Sequence, residues 1–159
     1  MTTAVDTNVL IDVLGGDPTF SEWSEGALLD ALENGPLIVC EVVYAELAAK
    51  ADNQALVDGF LDRTGITLVV SGQRALFRAG KAWDQFASAS ARPVTCPTCG
   101  ASQNLTCERC GRHLTFRQHI IPDFLVGAHA LTHARALITR DRRYFQTYFP
   151  GLELITPLQ

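Results

Sequence analysis

No apolar run in this chain approaches the roughly 20 residues that a membrane-spanning helix needs, so nothing in it reads as a bilayer span. Charged residues are sparse, at 19%, against 47% hydrophobic residues. That balance excludes wholesale disorder, collagen-like repeats and a coiled coil. Basic residues are nearly missing from the first 62 positions, where Lys50 stands alone against 12 acidic residues. No basic segment precedes the apolar N-terminal stretch, which carries Asp6 and Asp12, so a secretory leader is not expected. The expected setting is the reducing cytoplasm, with no membrane association. Internal repeats and low-complexity segments are also absent. What remains is 159 residues, enough for one domain with its own core.

The charge is unevenly placed. Positions 1–62 sum to −11, while positions 63–159 hold 12 basic and 5 acidic residues, or +7. Such asymmetry suggests one surface for metal cations or a basic partner and another for a polyanion. Segregated, solvated surface charge is the plainer alternative.

Four of the five cysteines form a pattern. Cys96, Cys99, Cys107 and Cys110 make two C-x2-C pairs, each followed by a glycine, Gly100 or Gly111. Glycine can adopt the positive φ that turns backbone N–H groups toward a sulfur. Four thiolates suit tetrahedral Zn²⁺, and a closed four-sulfur shell is structural. Iron is the main competitor; a single C-x2-C could be a redox pair, but two glycine-terminated copies favour metal, and disulfides fit a cytoplasmic chain poorly. His113 and His119 are conceivable substitute ligands. Cys40 reads as a small buried hydrophobe. Positions 92–119 therefore read as a zinc-ribbon-like insert with four arginines and one glutamate. A segment this short cannot bury a core, so metal would supply its folding energy. Its role is either to bind nucleic acid or a protein, or to brace the neighbouring helix.

Positions 1–91 and 120–159 continue one discontinuous α/β domain. Strands are expected at Thr2–Val5, Leu37–Cys40, Ile66–Val70, Ala136–Thr139 and Leu152–Thr156. Helices are expected at Asn8–Leu14, Phe20–Asn34, Glu41–Ala51, Gln54–Asp62, Gln73–Ala89, Pro122–Arg135 and Tyr144–Tyr148. Alternation of this kind implies a central, mostly parallel sheet with helices on both faces.

In such sheets, sites form beyond the carboxyl ends of the strands. Asp6 follows the first strand, and Asp141 lies two residues past Ala136–Thr139. Glu46 shares a helical face with Val42, Val43 and Ala49, and Asp123 heads a stripe of Val126, Gly127, Ala130, Leu131 and Ala134. A carboxylate on an inward face costs several kcal/mol unless paired or metal-bound. Taken singly, Asp6 could be an N-cap and Asp123 a first-turn residue favoured by the helix dipole. Taken together, four acids at one crevice suit Mg²⁺ or Mn²⁺, which ligate oxygen and can activate water against a phosphodiester. Arg140, Arg142 and Arg143 flank Asp141 and could contact phosphates, or else be a solvated helix surface. His129 and His133, four residues apart, are expected to be exposed surface histidines.

Four blocks then resemble the PIN-domain ribonucleases, and among them the VapC-type toxins: V-D-T-N-V-L-I-D at 5–12, V-Y-A-E-L at 43–47, I-P-D-F-L-V-G-A at 121–128 and L-I-T-R-D-R-R-Y-F at 137–145. The resemblance implies a PIN-like three-layer α/β sandwich and a Mg²⁺- or Mn²⁺-dependent endoribonuclease hydrolysing RNA phosphodiesters. It implies that Asp6, Glu46, Asp123 and Asp141 are the catalytic, metal-binding quartet, supported by Asn8 and Thr139. It also implies a homodimer and a cognate antitoxin, as in type II toxin–antitoxin pairs. The compact toxins lack the four-Cys insert. The alternatives are a zinc-ribbon nucleic-acid-binding module, or an RNA-processing PIN protein that is not a toxin.

Overall fold

The computed structural model describes residues 1–88, 94–96, 98–103, 105–111, 113–114 and 121–157. In chain order the elements are β1 (Thr3–Val5), α1 (Thr7–Gly15), α2 (Ser21–Glu33), β2 (Leu37–Val39), α3 (Glu41–Ala48), α4 (Gln54–Thr64), β3 (Ile66–Leu68) and α5 (Gln73–Ser88). They continue with β4 (Val94–Thr95), β5 (Ser102–Gln103), β6 (Leu105–Thr106), β7 (His113–Leu114), α6 (Ile121–His133), β8 (Ala136–Ile138), α7 (Arg142–Tyr148) and β9 (Glu153–Ile155). Every expected strand and helix of the α/β domain is present; the strands are trimmed by one or two residues, while α1, α4 and α7 run longer than expected and α3 stops three residues early. The expected end of the long helix at Ala89, the boundaries at 91 and 92 and at 119 and 120, and His119 lie outside the described residues.

Five strands form one parallel sheet in the order β3-β2-β1-β8-β9. β1, β2 and β8 are buried at every position. Strands so short and apolar on both sides must be covered on both faces, which is the layered α/β arrangement expected. β1 sits at the centre. The chain runs from β1 to β2 on one side and from β8 to β9 on the other. The strand order therefore reverses between β1 and β8, and a crevice opens beyond their carboxyl ends. The register Val5↔Ile138 ends both strands level, and the Asp6 N–H reaches the Ile138 carbonyl at 3.0 Å. Asp6 and Thr139 thus leave the sheet side by side.

The first turn of α6 is held by an aromatic cluster. Phe124 is fully buried and meets Phe86, Tyr144 and Tyr148 edge-on, with centroids 5.5, 5.1 and 5.2 Å away. Such contacts contribute about 0.5–1.5 kcal/mol each beyond burial. They fix the backbone beside Asp123. One turn later, Gly127 lets the Phe149 ring lie directly against the helix; a Cβ there would overlap three carbons of that ring.

His129 corrects the expectation of a surface histidine. It is 1% exposed and its Nδ1 lies 3.0 Å from the Ser71 hydroxyl, which donates to Glu41 at 2.8 Å. Burial first, and the neighbouring His133 second, lower its pKa to about 4, so the ring is neutral at pH 7. The α6 face toward α3 and α5 is covered, which a four-residue histidine spacing does not reveal. His133, at the helix end, is exposed as expected.

Gly127→Ala is expected to lose about 1–2 kcal/mol, because overpacking against Phe149 outweighs the gain in helix propensity. A thermal melt should show Tm lowered by about 2–8 °C; an unchanged Tm would mean that the ring moves aside without cost.

Candidate active site

Asp6 occupies the N-cap position of α1, but its side chain makes no capping hydrogen bond. The carboxylate turns into the crevice instead, 7% exposed. Thr139 Oγ1 donates to its Oδ2 at 2.6 Å and Asn8 Nδ2 donates to the same oxygen at 2.7 Å. The Asn8 amide oxygen accepts the Arg140 N–H at 3.3 Å, and Thr139 Oγ1 accepts the Asp141 N–H at 3.1 Å. Asn8 and Thr139 thus stitch the start of α1 to the chain leaving β8. Burial raises the Asp6 pKa; hydrogen bonds from Thr139 and Thr7 oppose that shift, and the Glu46 charge adds to it.

Glu46, half-buried on α3, takes its hydrogen bond from the Thr7 hydroxyl, which lies 39 positions earlier in the chain. Ala49, expected on its buried face, lies just past the helix end and is exposed. Asp123 projects from the first turn of α6. Burial, then the charges of Asp6, Glu46 and Asp141, raise its pKa to about 6. Three separate segments therefore bring like charge to bear on this one carboxyl. Asp141 is exposed at the start of α7, where its Oδ1 caps the helix by accepting the Tyr144 N–H at 3.2 Å.

Not every flanking arginine faces the crevice. Arg140 lies 3.3 Å from Asp12, which is 2% exposed and also accepts from the Ser24 hydroxyl at 2.9 Å, and its guanidinium stacks 4.6 Å from the Phe20 centroid. Its charge is spent on a buried carboxylate. Arg142 and Arg143 are exposed. Two contributors were not singled out from the sequence. Thr7 follows Asp6 and resembles any first-turn hydroxyl; Asp12 reads only as a charge within an apolar stretch.

Among the described residues, no three His, Cys, Asp or Glu side chains stand close enough together to hold a metal ion as placed. The donor chemistry nevertheless fits a hard divalent cation. All the donors are oxygens, and Mg²⁺ needs only one or two carboxylates beside water and substrate phosphate. The raised Asp123 pKa reflects burial and the like charges of Asp6, Glu46 and Asp141. The four cysteines lie elsewhere, in two small hairpins formed by β4 with β5 and β6 with β7, and all are free thiols.

The pH dependence has a definite sign. In the metal-free protein, the folded Asp123 pKa of about 6 exceeds its unfolded value of 3.8, so the native state holds the extra proton between these limits. Stability contributed here falls as pH rises through that window. In chelator, Asp123→Asn should raise Tm at pH 7 by about 2–4 °C, a gain of about 1 kcal/mol after solvent screening, and the gain should vanish near pH 4. Melts of both proteins across pH 4–7 test this; a pH-independent difference would contradict it.

The family model of the PIN domain matches residues 3–150. No curated protein matches the chain. Among solved structures, VapBC2 from Rickettsia felis, bound to a DNA fragment from its promoter, is similar at 17% identity over 98% of each chain, with a TM-score of 0.59. VapBC-1 from nontypeable Haemophilus influenzae is similar at 17% identity over 98% of each chain, with a TM-score of 0.58. A toxin–antitoxin complex from Klebsiella pneumoniae is similar at 18% identity over 99% of this chain and 98% of its own, also with a TM-score of 0.58. At these identities the likeness speaks to fold, while the family match spans most of the sequence: the chain belongs to the PIN domain family.

Proposed function

We propose that this protein is a Mg²⁺- or Mn²⁺-dependent endoribonuclease, and the toxin of a type II toxin–antitoxin pair working in the cytoplasm. One observation carries the reading: the charges of Asp6, Glu46 and Asp141 converge on Asp123 at the point where the strand order reverses. Four acids bearing on one another repel a polyanion unless a cation stands between, which favours a divalent ion over unaided binding. Asp6 and Asp123 are the primary candidates to hold the divalent cation, with Glu46 and Asp141 completing the site or orienting the attacking water. Such a cation, when bound, polarises the phosphodiester and lowers the pKa of that water.

The chain's own groups divide the remaining work. Asn8 and Thr139 fix the direction of the Asp6 carboxylate, and Thr7 fixes Glu46. Arg142 and Arg143, exposed beside Asp141, supply phosphate contacts. Arg140, engaged with Asp12, acts by holding the β8–α7 turn in place. Membership of the PIN family and the likeness to VapBC complexes support a partner antitoxin and a homodimer. An apolar groove of about 570 Å³ between α1, α3 and α4, lined by Leu14, Leu47, Leu56 and Phe60 and edged by Lys50 and Arg63, offers such a partner a place to dock. Among the described residues, no helix is long and apolar enough to cross a membrane.

Purified protein with Mn²⁺ should cut a broad pool of transcripts. Asp6→Asn and Asp123→Asn should each lose at least about 100-fold in rate, roughly 2.7 kcal/mol of barrier, with unchanged circular dichroism. RNA retention without cleavage would favour the binding-module reading instead. Cleavage that leaves growth unaffected on expression without the antitoxin would favour RNA processing. Thr139→Val, which removes the hydroxyl on Asp6, should weaken Mn²⁺ binding by about 10–100-fold in titration calorimetry; an unchanged affinity would deny Thr139 its positioning role.

A further inference from the structure

The four cysteines take no part in the crevice, yet their surroundings are built to one plan. In the first hairpin, the Gly100 N–H returns to the Cys96 carbonyl at 2.9 Å, with Gly100 at φ +71°. In the second, the Gly111 N–H returns to the Cys107 carbonyl at 2.8 Å, with Gly111 at φ +70°. Left-handed backbone of this kind strongly favours glycine. Each turn aims backbone N–H groups at its first sulfur: those of Cys99 and Thr98 at Cys96, and those of Cys110 and Arg109 at Cys107. In both turns the second cysteine also hydrogen-bonds to the first, which is half-buried while the second is exposed.

The described residues of the hairpins add little packing of their own. None of residues 96, 98–103 and 105–111 belongs to the hydrophobic core. Each consists of two paired two-residue strands, and an isolated hairpin is at best marginal in water. Two turns, each presenting two thiols on a matching frame, amount to two halves of one tetrahedral shell.

We infer that Cys96, Cys99, Cys107 and Cys110 of a single chain form a structural tetrathiolate zinc site that draws the two hairpins into one lobe. Among the described residues no three such side chains stand close enough to hold a metal as placed, so the two turns must close on the ion. Binding deprotonates the thiols and releases their protons to solvent, with no redox step. A shell closed by four sulfurs leaves no open position for substrate or water. The site is independent of the carboxylate crevice and stands whether or not the protein is a nuclease.

The test uses the full chain purified under reducing conditions. Zinc should be found at one per chain and be released, as read by a metallochromic dye, in step with mercurial titration of four thiols. Exchange to Co²⁺ should give thiolate-to-cobalt charge-transfer bands and the intense visible bands of a tetrahedral four-sulfur site. Asp6→Asn should retain both signatures. Cys99→Ser and Cys110→Ser should each alter the cobalt spectrum and weaken metal binding by at least about 10-fold. Four freely reactive thiols without zinc, a disulfide within either pair, bound iron in place of zinc, or half a zinc per chain in a dimer would each overturn the assignment. Since the cobalt spectrum is read on the unaltered chain, the answer stands even if a serine variant misfolds.

Discussion

Crowding negative charge into one crevice is the constraint on which this molecule turns. Asp6 is nearly buried and Asp123 is lifted to about 6 by burial and by three like-charged neighbours. The fold tolerates this because polar groups are supplied where they are needed: Asn8 and Thr139 on Asp6, Thr7 on Glu46, and the start of α7 on Asp141. Each donor offsets part of a desolvation cost, yet none is cationic.

The sheet makes that gathering possible. Parallel strands ending level put the residues that follow β1 and β8 next to each other, and reversal of the strand order leaves no crossover helix above them. α3 and α6 bring Glu46 and Asp123 in from other parts of the chain. Phe124 and Gly127 anchor α6: an aromatic cluster packs beside the acid, and a bare backbone one turn later admits Phe149. Core packing and the placement of Asp123 therefore meet on this one helix.

The two halves of the charge asymmetry also find partners. Asp12, from the acidic N-terminal part, is buried and paired with Arg140 from the basic C-terminal part. The pair ties α1 to the turn that carries Asp141. This removes one arginine from the surface and leaves Arg142 and Arg143 as the exposed cations of that turn.

Much of this was legible in the linear order. Alternation of short apolar strands with longer amphipathic segments gave the elements, because each pattern reflects local periodicity and local turn chemistry. The resemblance named Asp6, Asn8, Glu46, Asp123, Thr139 and Asp141 as a set, and the paired C-x2-C-Gly turns stood out because spacing and glycine are both local signals. Other features were silent. That Thr7 would reach Glu46, that Arg140 would turn back to Asp12, and that His129 would be covered next to Ser71 depend on contacts between segments 39, 128 and 58 positions apart. Periodicity states which side chains share a face but not which element covers it. Secondary structure was thus decided by the residues nearby, while strand order and partner choice were decided by tertiary packing, because burying both faces of these strands and bringing the acids to their donors depend on contacts between distant segments.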